Sequence, residues 1–398
     1  MWDRLLIAFL RFGVRTGTVH LTLPDGATHH IGPGGGPDVA VTLHDPQFSR
    51  KFFVRPDLTM GEAYMDGRLT ITNDDIRSLI AFALRNARGR KVWPPFRQIA
   101  TLAARAKSWS IWNHVGIARR NVAHHYDISD ELYDLFLGDT KQYTCAYFRR
   151  PDMTLEEAQE AKKAHIGKKL LIEPGMKALD IGSGWGGLSM TLAKDHGARM
   201  TGVTLSTEQL ALARERVAAA GLEGQVEFRL TDYRDLNETF DRIVSVGMLE
   251  HVGAPQFATY FQTLKRLLAD DGVAVIHSIG RASGKGATNA FTNKYIFPGG
   301  YIPGLSEIVK AIEEAGLWIT DIEILRLHYA ETLKHWRLRF MADPEIPALF
   351  DARFRRMWEF YLAGAEMGFR YGGHMVFQIQ VAKKRDAVPL TRDYMAGA

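Results

Sequence analysis

Leu179-Asp-Ile-Gly-Ser-Gly-Trp-Gly-Gly187 is the stretch on which the fold turns. It closes the short strand candidate Lys177-Ala-Leu-Asp-Ile181 and opens a helix-length segment. Glycines at 182, 184 and 186 let the backbone turn tightly and approach a bulky ligand. A glycine fingerprint alone is also a common structural turn, so its surroundings must decide. Outward from it, Arg199-Met-Thr-Gly-Val203, Arg242-Ile-Val-Ser-Val246 and Val273-Ala-Val-Ile-His277 read as further strands separated by helix-length segments. This alternation predicts a Rossmann-like α/β fold with a doubly wound, mostly parallel sheet. His374-Met-Val-Phe-Gln-Ile-Gln-Val381 follows a long helical stretch and is expected as an antiparallel closing edge. The second strand ends in Val203-Thr-Leu-Ser-Thr-Glu-Gln209, without the acid that would clamp a dinucleotide ribose.

The chain has 398 residues, enough for two domains, and its 46% hydrophobic content can bury a core. Fifty basic and 45 acidic residues leave a charge of +5, too mild to name a partner by its size. The single cysteine, Cys145, excludes an internal disulfide and a multi-thiolate metal site, and no metal is expected. A reducing, cytoplasmic setting fits that usage. The N-terminal Met1–Arg11 run lacks the length and cleavage site of a signal peptide. Nowhere do 18 apolar residues run together, so work on a membrane would be done from its surface.

Residues 1 to about 85 read as a small α+β unit. Gly17–Leu23 alternates as a half-buried strand, Pro24-Asp-Gly26 is a turn, and Val39–Leu43 is a second strand. Leu79–Leu84 is expected on a helix. From Ile76 to Tyr126 there is no Asp or Glu, while Arg and Lys are interleaved with Trp93, Trp109 and Trp112. Such a stretch suits anionic lipid headgroups with indoles at the interface. It equally suits RNA, or a solvated interdomain linker marked by Trp93-Pro-Pro95. The resulting division is an accessory domain at 1–86, a basic linker at 87–120, a catalytic domain at 121–385 and a tail at 386–398.

The glycine loop, with Asp180 before its first glycine, resembles that of the class I S-adenosylmethionine-dependent methyltransferases. Longer segments resemble the cyclopropane-fatty-acyl-phospholipid synthases of the full-length bacterial type. They are Asn121–Ser129, Gln142-Tyr-Thr-Cys-Ala-Tyr-Phe148, Gly247-Met-Leu-Glu-His-Val-Gly253, Lys294–Pro303 and His328-Tyr-Ala-Glu-Thr-Leu333. In the accessory domain, Met60-Gly-Glu-Ala-Tyr-Met-Asp-Gly67 carries the same resemblance.

That resemblance implies transfer of a methylene unit from S-adenosylmethionine to cis double bonds of phospholipid acyl chains. Methyl transfer to an isolated double bond leaves a carbocation, and ring closure then requires a base in a site that excludes water. The family's base is a bound bicarbonate, whose ligands carry over to Cys145, Glu250, His277, Tyr329 and the backbone of Ile279. Glu250, acceptor-only when ionised, must take the bicarbonate proton or orient His277. Taken singly, Cys145 could be a small buried apolar residue, His277 a core histidine and Tyr329 plain packing.

Cofactor contacts carry over to Tyr143, Thr144, Asp180, Gly182, Gly184, Thr204, Leu205 and Gln209, with Tyr233 and Arg234 beside the adenine. Thr144 stands where Ser is common, and Arg234 where an acid is common. Tyr295, Phe297 and Tyr301 are candidates to line the acyl tunnel, or are an ordinary apolar cluster. Phe354, Met357, Trp358 and Tyr361 lie at helical spacing and read as core, with Arg353, Arg355 and Arg356 on a solvated face.

The expected partners are an anionic phospholipid surface and unsaturated acyl chains, with no nucleic acid. The N-terminal domain is expected to hold lipid or to mediate a homodimer, and the protein to sit in the cytoplasm against the inner membrane. The alternative outcome is a fatty-acyl C-methyltransferase giving a methyl-branched unsaturated chain. A nucleic-acid methyltransferase is disfavoured because no Asn-Pro-Pro-Tyr-type motif occurs.

Overall fold

The computed structural model describes residues 1–87 and 130–396. The basic tryptophan stretch from 88 onward and the Asn121–Ser129 motif lie outside the described residues. Contacts divide the chain into two units, and the division is not a simple cut. Of the described residues, 1–87, 288–298 and 333–373 form one unit, and 130–287, 299–332 and 374–396 form the other.

The first unit holds a four-stranded sheet of β1 (Gly17–Thr22), β2 (Thr28–Gly34), β3 (Asp38–Leu43) and β4 (Leu69–Ile71), in the order β2-β1-β3-β4. β1 alternates buried and half-buried positions, as its period-2 pattern requires. β2 was not legible in the sequence. It runs through Gly32-Pro33-Gly34, and only its Ile31 is buried.

Helices Trp2–Gly13, Phe48–Val54, Pro56–Met65 and Ile76–Ala87 accompany the sheet. Leu6, Leu21, Ile31, Val41, Phe48, Ile76 and Phe82 share a core with Ala363, which comes from the distant helix Ala352–Arg370. That helix buries Trp358 completely and places Met357 and Tyr361 in the interior, so the stripe is core as expected. Its Glu359 accepts a 2.9 Å hydrogen bond from the Tyr64 hydroxyl, and its fully buried Glu366 pairs with Arg77 at 3.0 Å. These contacts draw residues 333–373 into the first unit, where the sequence placed them within an unbroken 121–385.

The second unit is built on a seven-stranded sheet of β5 (Lys177–Ile181), β6 (Arg199–Thr204), β7 (Val226–Leu230), β8 (Phe240–Val246), β9 (Leu268–Arg281), β10 (Trp318–Leu325) and β11 (His374–Ala382). The order is β10-β11-β9-β8-β5-β6-β7. β5 to β9 pair in parallel, and β11 is antiparallel to both β9 and β10.

The expectation that His374–Val381 forms the edge is corrected, because β10 takes that place. Burial explains the order. Every β11 residue after His374 is buried, as a central strand requires, whereas β10 begins at an exposed Trp318 and buries only Asp321 and Leu325. β5 lies between β6 and β8, so the chain reverses its direction of winding beside the glycine loop. Crevices of this kind, outside the carboxyl ends of parallel strands, receive ligands. Among the described residues no helix is long and apolar enough to cross a membrane.

Candidate active site

The glycine loop leaves β5 and enters the helix Gly187–His196. Gly182, Gly184 and Gly186 have φ of +80°, +53° and +81°, a region that side chains rarely adopt. A Cβ at Gly186 would lie 2.5 Å from the Phe228 ring, and one at Gly182 would lie 2.8 Å from Met248. At Gly184 nothing lies within 4 Å, so the loop leaves open space there. Asp180, at the end of β5, is buried and accepts a 2.8 Å hydrogen bond from the Ser189 hydroxyl. Burial raises its carboxyl to about 6, while Ser189 and the nearby Lys162 pull the other way.

After β6, the Thr204 hydroxyl donates to Gln209 Oε1 at 2.9 Å, and Ser206 caps the helix Thr207–Ala219 by accepting from the Gln209 N–H at 3.1 Å. The Gln209 Nε2 is buried and has no partner among the described residues. Leu205 is half-buried beside them. Past β7, Tyr233 packs its ring 5.6 Å from that of Tyr260. The Arg234 guanidinium is held by both oxygens of buried Asp232, at 2.8 and 2.7 Å. An acid therefore stands two residues before Arg234, and it is engaged by Arg234 itself. Asp232 directly precedes Tyr233 in the sequence, and its burial is what the sequence did not show.

Opposite the glycine loop, Gln142–Cys145 is fastened by the helix Leu155–Leu170. That helix starts with a capping box, in which the Glu157 N–H donates to Thr154 Oγ1 and the Thr154 N–H to Glu157 Oε2. Its Gln159 Nε2 donates to the carbonyls of Gln142 and Thr144, at 3.3 and 3.0 Å. Lys162 Nζ donates to Gln142 Oε1 at 2.6 Å and to Thr144 Oγ1 at 2.9 Å. Tyr143 lies in an aromatic cluster with Tyr133 and Phe136, with ring centroids 5.2 and 6.1 Å away. Tyr133 in turn stands 5.4 Å from Trp185 of the glycine loop.

Glu250 lies in the turn after β8, and one of its oxygens accepts the Ile279 N–H at 2.6 Å. The other oxygen, Oε2, is buried and has no partner among the described residues. Burial raises the carboxyl to about 7, against the pull of the Ile279 N–H and nearby Ser278, whose hydroxyl is donated to the Ile279 carbonyl. His277, two residues before Ile279 on β9, is buried, and burial with the Lys162, Lys169 and His165 charges holds its pKa well below the ordinary value. Gln378 Nε2 donates to His277 Nδ1 at 3.0 Å, which leaves the ring proton on Nε2.

Cys145 is buried, and burial keeps its thiol above the usual range although Lys162 lowers it. The next residue's N–H donates to Thr332 Oγ1 at 3.0 Å, one turn beyond Tyr329 on the helix His328–Ala342.

The structure therefore joins Glu250 to Ile279 directly and carries His277 on the same strand. It sets Cys145 against Thr332, beside buried Tyr329. The Ile279 N–H, expected to face an anion, is donated to Glu250. The three tunnel candidates are not one cluster. The Tyr301 N–H donates to the Glu250 carbonyl at 2.9 Å, whereas Tyr295 bonds Glu62 at 2.7 Å and Phe297 meets Tyr361 edge to face in the first unit.

These residues fit an S-adenosyl cofactor: an open glycine turn, a buried acid before it, and a buried amide donor in Gln209. Fold and site together define a class I S-adenosylmethionine-dependent methyltransferase.

Residues 115–379 match the family described as mycolic acid cyclopropane synthetase, and the chain belongs to it. Residues 13–90 match a separate domain of unknown function. A probable fatty acid methyltransferase of Pseudomonas putida is 36% identical over 393 residues, 95% of this chain and 96% of the relative. The cyclopropane-fatty-acyl-phospholipid synthase of Escherichia coli K12 is 34% identical over 356 residues, 88% and 89% of the two chains. The solved structure of mycolic acid cyclopropane synthase CmaA1 complexed with SAH and CTAB aligns at a TM-score of 0.63 and 34% identity. It covers 66% of this chain and 97% of its own.

Proposed function

We propose that this protein is a cyclopropane-fatty-acyl-phospholipid synthase, acting on cis double bonds of phospholipid acyl chains. The observation that carries this reading is Glu250: buried, fixed through one oxygen by Ile279, and with its other oxygen unpartnered among the described residues, while neutral His277 stands two residues before Ile279 on the same strand. When bound, S-adenosylmethionine supplies a methyl electrophile, and bicarbonate supplies the base that ring closure needs. Thr144, Asp180, the glycine loop, Thr204, Leu205, Gln209 and Tyr233 would hold the first. Cys145, Glu250, His277 and Tyr329 would hold the second, with the Ile279 N–H fixing Glu250.

The residues divide the work. Glu250 Oε2 accepts an O–H, and neutral His277 donates its Nε2–H. Cys145, kept protonated by burial and directing its S–H at the Ala146 carbonyl at 3.3 Å, is a poor target for methylation. Their burial excludes the water that would trap a carbocation as an alcohol.

Docking belongs to the same reading. The helix Trp2–Gly13 exposes Trp2 and Leu5 among the exposed Arg4 and Arg11, and Arg50, Lys51, Val54 and Arg55 are exposed on and just after Phe48–Val54. Apolar groups ringed by cations suit the surface of an anionic membrane, visited from the cytoplasm.

A second reading is favoured by the Pseudomonas putida relative: a fatty-acyl methyltransferase in which the same cation loses a different proton, leaving a methyl-branched unsaturated chain. Lipid analysis of a host expressing this protein beside its Glu250→Gln variant tests the proposal. Cyclopropane chains with the wild type alone are expected, and equal product from both discards the role of Glu250.

A further inference from the structure

Lys162 is fully buried, yet none of the carboxylates around it forms an ion pair with it among the described residues. Asp180, also buried, is close enough for each to shift the other's titration, but its oxygen is bonded to Ser189. A buried cation and a buried anion that sense each other without touching are expensive unless something completes them. The amino acid end of an S-adenosyl cofactor is a zwitterion and would complete both.

Lys162 does not itself reach a ligand surface, since none of it is exposed. What separates it from the site is Thr144, which is half-buried. The Thr144 hydroxyl oxygen accepts the Lys162 ammonium at 2.9 Å, so its own proton is left to donate outward. Its methyl group closes the other side: a Cβ at Gly247, whose φ is +71°, would lie 2.8 Å from Thr144 Cγ2. Gln159, one turn before Lys162, pins the Thr144 carbonyl. The hydroxyl therefore has one orientation, and a cation stands behind it.

We propose that Lys162 is a positioning residue that orients and polarises the Thr144 hydroxyl to donate to the carboxylate of the cofactor, while Asp180 takes its ammonium. The assignment rests on the cofactor reading above. Burial brings the Lys162 ammonium down to about 7, so an anion in front of Thr144 would also favour its charged form.

The test compares two probes, S-adenosylhomocysteine and methylthioadenosine, which lacks the amino acid end. Their dissociation constants are measured by calorimetry for the wild type, Lys162→Met, Thr144→Val and the double variant. Thr144→Val keeps the packing on Gly247 and so supplies the test even where Lys162→Met fails to fold. Each single variant should weaken S-adenosylhomocysteine about tenfold, the loss of one charge-assisted hydrogen bond. Methylthioadenosine should change less than about twofold. The double variant should be no worse than either single one, because the two residues act through one bond. Equal losses for both probes, or additive losses in the double variant, overturn the proposal. A wild type that binds neither probe overturns the cofactor reading instead.

Discussion

At Glu250 the proposed chemistry depends on one carboxyl having unequal oxygens, one tied to Ile279 and one without a partner among the described residues. Because burial raises it to about 7, turnover at fixed bicarbonate is expected to rise as pH passes through that value, where the carboxylate forms. The same shift has a linkage consequence. The native state holds this proton more tightly than the unfolded chain, so its contribution to stability is complete below the ordinary carboxylate range and is lost as pH rises through about 7. Glu250→Gln should remove that slope from unfolding curves and greatly reduce turnover while leaving S-adenosylhomocysteine affinity within about twofold; normal turnover would dismiss the acid. Cys145→Ser should lower activity without abolishing it, because a hydroxyl still donates where the thiol did. The motifs supplied these residues as candidates. Their partners were not legible: that Arg234 would be spent on Asp232, or that Lys162 would stand behind Thr144, depends on segments brought together only by the sheet and by the helix Leu155–Leu170.

Among the elements, the glycine loop separates fold from ligand within five residues. Gly184→Ala meets no neighbour, so it costs only its left-handed backbone, about 1 kcal/mol, and should chiefly weaken S-adenosylhomocysteine binding. Gly186→Ala drives a methyl group into Phe228 as well, and should destabilise by about 2–4 kcal/mol in a denaturant titration. Equal losses of stability in the two variants would contradict this division. Strands β5, β6, β8 and β9 were readable because a parallel sheet buries both faces and each carries a short apolar stretch, Val273–Ile276 in β9 the longest, between helix-length segments. β2 and β10 were not. β2 carries Gly-Pro-Gly within a strand, and β10 mixes Thr320, Asp321 and Glu323 with its apolar residues. Its acids are used, since Glu323 binds Lys169 and His165, a cluster that a sequence window reads as solvent-facing.

On the scale of the whole molecule, the +5 charge carries meaning only through where it lies. Basic and apolar side chains share the exposed part of the first unit, so binding to anionic vesicles should weaken steeply with salt, and Arg4→Glu with Arg11→Glu should weaken it at least about tenfold. Binding indifferent to salt would place the lipid contact elsewhere. The two-unit division was only half legible. The N-terminal strands announced the first unit, but the return of residues 333–373 to it rests on Tyr64, Arg77 and Ala363 meeting one helix, and no local pattern encodes such a meeting. Under the proposed reaction, the product is decided by the fate of one methyl group. The decisive measurement is mass spectrometry of host phospholipids after supply of a methyl-deuterated donor. Ring closure by loss of a proton from that methyl retains two deuteriums in a cyclopropane, as this account predicts. Retention of all three in a methyl-branched chain would contradict it.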